Sequence, residues 1–209
     1  VKYFLLEEPF PENTSIWQNQ AIQREFLLKS TDFADKEDFI FFSDPDEIPR
    51  PELLSNFKLD KKYGIFMQSC FNFKFNLFNK YENPWEGTRV SKKKNLKSID
   101  FMRQKVRSKN LKYKFYRFDK EKNIQIFDNA GWHFNNIISP EEISLKLKTF
   151  AHSEFADDKY SSPKVIKKKI DLRMDLFERG HIYQKKEIDN TFPKYLIKNQ
   201  DKFKNFIIS

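Results

Sequence analysis

Apolar positions recur at two spacings along this chain, and the alternation between them predicts a mixed α/β fold. Residues 3–6 read as a strand. Residues 13–29 read as a helix started by Thr14 or Ser15, with Trp17, Ala21 and Leu28 near one face. The run Phe39-Ile40-Phe41-Phe42 has no polar alternate, which predicts a strand covered on both faces, as in a parallel or mixed sheet with helices on each side. It stops at Ser43-Asp44-Pro45-Asp46-Glu47-Ile48-Pro49, and Pro51 opens a short helix through Phe57. Residues 64–78 predict one long strand, because Phe71, Phe73, Phe75 and Leu77 alternate with Asn72, Lys74 and Asn76.

Further along, 96–109 predicts a helix, 112–118 and 124–128 predict strands, and 130–135 a short extended piece. Ser139-Pro140-Glu141-Glu142 combines a capping Ser, Pro at the first helical position and Glu three residues after the cap, with Ile143, Leu147, Phe150 and Ala151 following on one face. Ser162-Pro163 repeats the device, and Ile166, Ile170, Met174 and Phe177 predict a helix that runs to Gly180. The whole reads as one domain over 1–209, a mixed sheet flanked by helices with a helical C-terminal portion from about 139.

Composition narrows the chemistry. The 24 Phe, 8 Tyr and 3 Trp supply a core that 39% hydrophobic residues would otherwise make marginal. Only 4 Gly are present, at 64, 87, 131 and 180, so neither a dinucleotide nor a P-loop phosphate cradle can be written. One cysteine, Cys70, excludes an internal disulfide framework and a multi-cysteine zinc site. No apolar run reaches the roughly 20 residues that cross a bilayer, which leads to the expectation of a cytoplasmic or membrane-peripheral protein. The net charge of +9 is uneven: residues 1–60 carry −7, 61–122 carry +13 and 123–209 carry +3. An acidic third followed by a basic one is the pattern of a site where a cation bridges to an anion, whereas a plain nucleic-acid binder is basic throughout.

Asp44-Pro45-Asp46-Glu47 crowds three carboxylates into four residues after a strand, an arrangement favoured when a divalent cation neutralises it. A cap for the helix at Pro51 needs only one acid. Asp128 to Phe134 places an acid five residues before His133, a candidate metal ligand beside a candidate base. Pro84-Trp85-Glu86-Gly87-Thr88-Arg89 offers a ring to stack on a sugar, a second acid, and a cation for phosphate. A chain without glycine-rich loops that handles a nucleoside diphosphate must neutralise it with a metal plus Lys and Arg, which is the logic of D-x-D glycosyltransferases of the GT-A type.

Several blocks in order carry a resemblance: Trp17 with Ala21-Ile22-Gln23-Arg24; Phe41 to Pro49; Ala130-Gly131-Trp132-His133-Phe134; Lys146 to Glu154; and Pro193-Lys194-Tyr195-Leu196. Together they resemble glycosyltransferase family 17, which includes the bisecting beta-1,4-mannosyl-glycoprotein 4-beta-N-acetylglucosaminyltransferase. The resemblance implies a GT-A-like fold and a metal-dependent inverting transfer to a glycan acceptor from a nucleotide sugar, UDP-N-acetylglucosamine (UDP-GlcNAc). Asp44 and Asp46 would face a manganese or magnesium ion and the diphosphate, with His133 as a third ligand and Trp85 and Arg89 on the donor. Asp128 is the first choice for the base and Glu86 the second. Family members carry further N-terminal strands before the point that matches Val1, so the resemblance also implies a nucleotide pocket completed outside these 209 residues. The competing readings are a nucleic-acid-binding protein that stacks bases on Phe71, Phe73 and Phe75, and a metal nuclease built on Asp44, Asp46 and Glu47.

Overall fold

A computed structural model describes residues 2–149 and 156–208. In chain order its strands and helices are α1 (Ile16–Phe26), β1 (Phe39–Phe42), β2 (Glu47–Pro49), α2 (Pro51–Leu54), β3 (Tyr63–Asn72), β4 (Leu77–Phe78), β5 (Trp85–Lys92), α3 (Ile99–Gln104), β6 (Ile124–Phe127), β7 (Gly131–Asn135), α4 (Pro140–Thr149), α5 (Asp158–Ser161), α6 (Pro163–Asp171), β8 (Gln184–Lys185) and α7 (Lys194–Lys198). The protein is mixed α/β, and its contacts divide it into two compact units. The first comprises Val1–Pro45, Pro51–Met67 and Glu86–Ala130; the second comprises Asp46–Arg50, Gln68–Trp85 and Gly131–Ser209.

In the first unit β1 pairs antiparallel with β5, and the start of β3 pairs in parallel with β6, Tyr63 opposite Ile124 and Phe66 opposite Phe127. Tyr63, Ile65, Met102, Val106 and Ile124 form one buried cluster, and Phe66, Val90 and Ala130 form another with Phe57 and Phe127 against them. Ser15 caps α1 in a reciprocal capping box with Gln18, as its position before an amphipathic run requires. Residues 3–6, expected as a strand, have no regular structure, and 112–118 is not a strand either: Lys112 ends a 3-10 helix and 113–118 has only turns and irregular backbone. Both segments are apolar without burial: Tyr3 is 93% exposed and Phe118 89%. The expectation that β1 is covered on both faces is corrected too. It is an edge strand in which Phe39 and Phe41 both turn to a single ring, Phe57, at 5.0 Å.

In the second unit β7 is the central strand. The end of β3 runs parallel to it, Cys70 opposite His133, and β2 runs antiparallel on its other side, Glu47 opposite His133. The single long strand expected over 64–78 is instead a hairpin. Phe73 takes φ 66°, the chain turns through 73–76, and Phe78 returns opposite Phe71. Phe71 consequently packs with Trp132, Phe134 and Phe192, whereas Phe73 and Leu77 pack with Ile143, Ile166 and Tyr183. Because Phe71 and Phe73 are buried in different clusters, the alternating rings do not form an open face on which bases could stack.

The capping box at Ser139 forms as its sequence predicts, with Ser139 N–H donating to Glu142 and Glu142 N–H to Ser139 Oγ. Phe150 and Ala151, expected on the same helix face, lie outside the described residues. The helix expected to run from Pro163 to Gly180 stops at Asp171. Arg173 turns the chain at φ 57°, and the buried Asp175 carboxylate accepts from the N–H groups of Phe177 and Arg179, giving the backbone a local alternative to the helix.

The strand β2 was not legible in the acidic turn, and a glycine is what permits it. Gly131 sits opposite Pro49 at φ +144°, and a Cβ there would stand 2.1 Å from the Ile48 carbonyl oxygen. Gly131→Ala should therefore cost about 3 kcal/mol in urea unfolding. Gly180→Ala, at φ +75° with nothing within 4 Å, should cost about 1 kcal/mol. Equal costs at the two positions would contradict the close approach of β2 to β7.

Candidate functional site

The register of β2 on β7 brings together the chemistry of the second unit. Phe134 N–H donates to the Asp46 carbonyl at 2.9 Å, which fixes the residue just before β2. The Asp46 side chain then meets His133, with Nε2 3.3 Å from Oδ2. His133 is buried at 5% exposure; Trp85 stacks on its ring at 4.4 Å and the Cys70 Sγ lies 3.7 Å from its Nδ1. Glu47, buried, accepts from Trp85 Nε1 at 2.8 Å, so the indole is held by its edge while its face covers the imidazole. Burial works against ionisation of Asp46, but the hydrogen bond and charge of His133, with Lys146 beyond, outweigh it and hold its carboxyl below the ordinary 3.8. Burial drives the Cys70 thiol far above its ordinary value, so the sulfur is a neutral packing neighbour.

In the first unit Asp44 is held by arginines. Arg103 Nη2 lies 2.5 Å from its Oδ2 and Arg24 3.9 Å away. Their two helices are tied locally, because Glu25 of α1 accepts from Asp100 N–H in the first turn of α3, which leaves Arg24 and Arg103 directed to the same carboxylate. Glu86 is the centre of a second cluster. Ser108 donates to Oε1 through both its N–H and its hydroxyl, while Arg107 and Arg89 donate to Oε2 at 2.8 and 3.1 Å. Burial again opposes ionisation, and Ser108 with the two arginines reverses it, lowering the pKa. Arg89 is 1% exposed and also donates to the Val106, Glu86 and Gly87 carbonyls.

Set against the sequence expectations, the structure joins Asp46, His133 and Trp85 in the second unit, and Glu86 with Arg89 in the first. Asp44 lies in the first unit with Arg24 and Arg103, which no spacing in the sequence singles out as its partners. Asp128 is exposed in the turn after β6, also in the first unit. The carboxylate of Glu86 and the guanidinium of Arg89 hold the start of β5 to the segment around Val106, a packing role that their place beside Trp85 did not reveal. Glu47, a metal-cluster acid in the nuclease reading, is turned inward to Trp85. His152 and part of the Lys146 to Glu154 block lie outside the described residues.

Two ligands of one ion at bonds of about 2.1 Å and a right angle stand about 3 Å apart, and the Asp46–His133 spacing fits that. Among the described residues, no group of three or more His, Cys, Asp or Glu is arranged to hold a metal ion, so any ion here would need oxygens from a ligand. No helix among the described residues is long and apolar enough to cross a membrane. Compared with family models, curated proteins and solved structures, the chain finds no match.

The Asp46 shift sets a pH dependence. A carboxyl whose folded value lies below its unfolded one stabilises the fold fully above the unfolded value, and that stabilisation is lost as pH falls through the folded value. The advantage of the parent over Asp46→Asn in urea unfolding should be constant at neutral pH and shrink in acid below 3.8. An advantage that persists unchanged through that range would contradict the Asp46–His133 bond.

Proposed function

We propose that this chain is a metal-dependent inverting glycosyltransferase domain of GT-A-like architecture, transferring a sugar, N-acetylglucosamine from UDP-N-acetylglucosamine, to a glycan acceptor. The observation that carries this reading is the acidic turn after β1, in which Asp46 is aimed at a buried imidazole and Asp44 at two arginines. The ordered blocks that resemble family 17 supply the donor and the reaction class.

In such a transfer the acceptor hydroxyl oxygen attacks the anomeric carbon, the bond from that carbon to the diphosphate breaks, and the hydroxyl proton must be taken up. A divalent ion, manganese or magnesium, supplies positive charge for the departing diphosphate. Asp46 and His133 are the residues that would hold it, with Trp85 keeping the imidazole in place from its face. Within the first unit Arg24 and Arg103 neutralise Asp44, and paired arginines of this kind are the groups that recognise carboxylate or phosphate oxygens. The choice of base rests on availability. Glu86 has both oxygens occupied by Ser108, Arg107 and Arg89, whereas Asp128 is exposed in its turn. We therefore assign the proton to Asp128.

Hydrolysis and transfer of UDP-N-acetylglucosamine, followed by mass spectrometry with manganese and with excess chelator, test the reading. Asp46→Asn should abolish the metal-dependent activity. Asp128→Asn should lower turnover by about two to four orders of magnitude with UDP affinity preserved. Glu86→Gln should chiefly lower the thermal midpoint. Full activity of Asp46→Asn, or of the parent in chelator, contradicts the metal role, and cleavage of nucleic acid without sugar release would favour the nuclease.

A further inference from the structure

Residues 109–122 lie between α3 and β6 and, among the described residues, bear the most exposed rings outside the N-terminal segment. Phe118 is 89% exposed, Phe115 85%, Tyr116 52%, Leu111 44% and Tyr113 39%. Such exposure is unusual for a segment that is otherwise well held. Asn110 is buried and donates to the Lys105 carbonyl, directly beside the buried Met102 and Val106. Three turn hydrogen bonds close the backbone on itself, from Arg117 to Lys114, Phe118 to Tyr116 and Lys120 to Arg117. Arg117 is paired to Asp119 through two nitrogens and lies over the Tyr113 ring. The result is a preformed knuckle from which Phe115 and Phe118 project.

The charge around those rings is one-sided. Residues 109–122 contain six Lys and Arg against two acids, and Asp119 is already paired with Arg117 and Lys120. A cavity of about 490 Å³ there has Lys97, Lys105 and Lys109 in its wall with Phe118, and also the acids Asp119 and Glu121, so its cations outnumber its carboxylates. Exposed cations around projecting apolar rings match an anionic bilayer surface, whose headgroup phosphates take the charge and whose acyl boundary takes the rings. Stable attachment of a peripheral protein generally takes two signals, an apolar insertion and a polybasic patch. Single-stranded nucleic acid would take the same charge, but it stacks on ring faces along a groove. Here the two most exposed side chains are Phe, without a polar edge, on a convex turn.

We infer that residues 111–118 are a membrane-docking knuckle, with Phe115 and Phe118 entering the interface and the exposed lysines around them, Lys112 and Lys114 among them, engaging the phosphates of anionic lipids. This inference is independent of the glycosyltransferase reading. Vesicle co-sedimentation tests it, using phosphatidylcholine alone and phosphatidylcholine mixed with phosphatidylserine. The parent should pellet with the mixed vesicles and not with the neutral ones. Phe115→Ser combined with Phe118→Ser should weaken partition about tenfold or more, and Lys112→Glu combined with Lys114→Glu should do the same, with thermal midpoints kept because these side chains project from the fold. Failure of the parent to pellet, or partition unchanged in both variants, overturns the inference. If the parent instead retains single-stranded DNA, or sediments as a dimer, and the Phe variant loses that property without vesicle binding in either protein, the surface belongs to that partner.

Discussion

The approach of β2 to β7 is the constraint on which the candidate site depends. Two short strands exchange hydrogen bonds across a spacing that leaves no room for a Cβ at Gly131. That approach sets Glu47 opposite His133 and fixes the Asp46 carbonyl on Phe134 N–H. A carboxylate one residue before β2 is thereby delivered to an imidazole on β7, and the ring is kept in place by Trp85. A slip of one residue would turn His133 to the other face of the strand and separate the pair. The core packing supports the same register, since Trp132 and Phe134 flank His133 and both enter the cluster with Phe71 and Phe192.

Charge placement follows from the cost of burying ions. Arg89 at 1% exposure is tolerated because Glu86 and backbone carbonyls surround its guanidinium, and Asp175 at 2% because Arg179 pairs with it. Removing one partner of such a pair leaves an uncompensated charge, which costs about 3–5 kcal/mol. Asp44 and Asp46 differ from these two, since both remain partly exposed, at 29% and 33%, and each keeps a partner. A group that is paired yet reachable can exchange that partner for a ligand, which a fully buried pair cannot do without unfolding its surroundings.

The sequence was most legible where local rules coincide with tertiary demand. The Ser139 capping box satisfies helix N–H groups with its own side chains and formed where the pattern placed it, and of the two starts open for α1, Thr14 and Ser15, Ser15 is the cap. β6 and β7 were legible from short apolar runs. Patterns misled where burial comes from distant partners. Phe71 to Leu77 alternates as a strand does, yet the chain turns at Phe73, and Asn76 bonds both the N–H and the carbonyl of Ile208, 132 residues away. Residues 112–118 have strand composition but carry their rings outward. At the candidate site, the acids of the turn and His133 were visible as residue types. The arginines on Asp44 and the inward turn of Glu47 were not, because both depend on contacts between residues 20 or more apart.

The central claim is that β2 and β7 hold Asp46 and His133 as neighbouring ligands for an ion that arrives with a nucleoside diphosphate. Electron spin-echo envelope modulation of manganese bound in the presence of UDP reads this directly, because an imidazole nitrogen on the ion modulates the echo. The account predicts nitrogen modulation in the parent that disappears in His133→Gln. Manganese and UDP bound to the parent with no nitrogen coupling would contradict it.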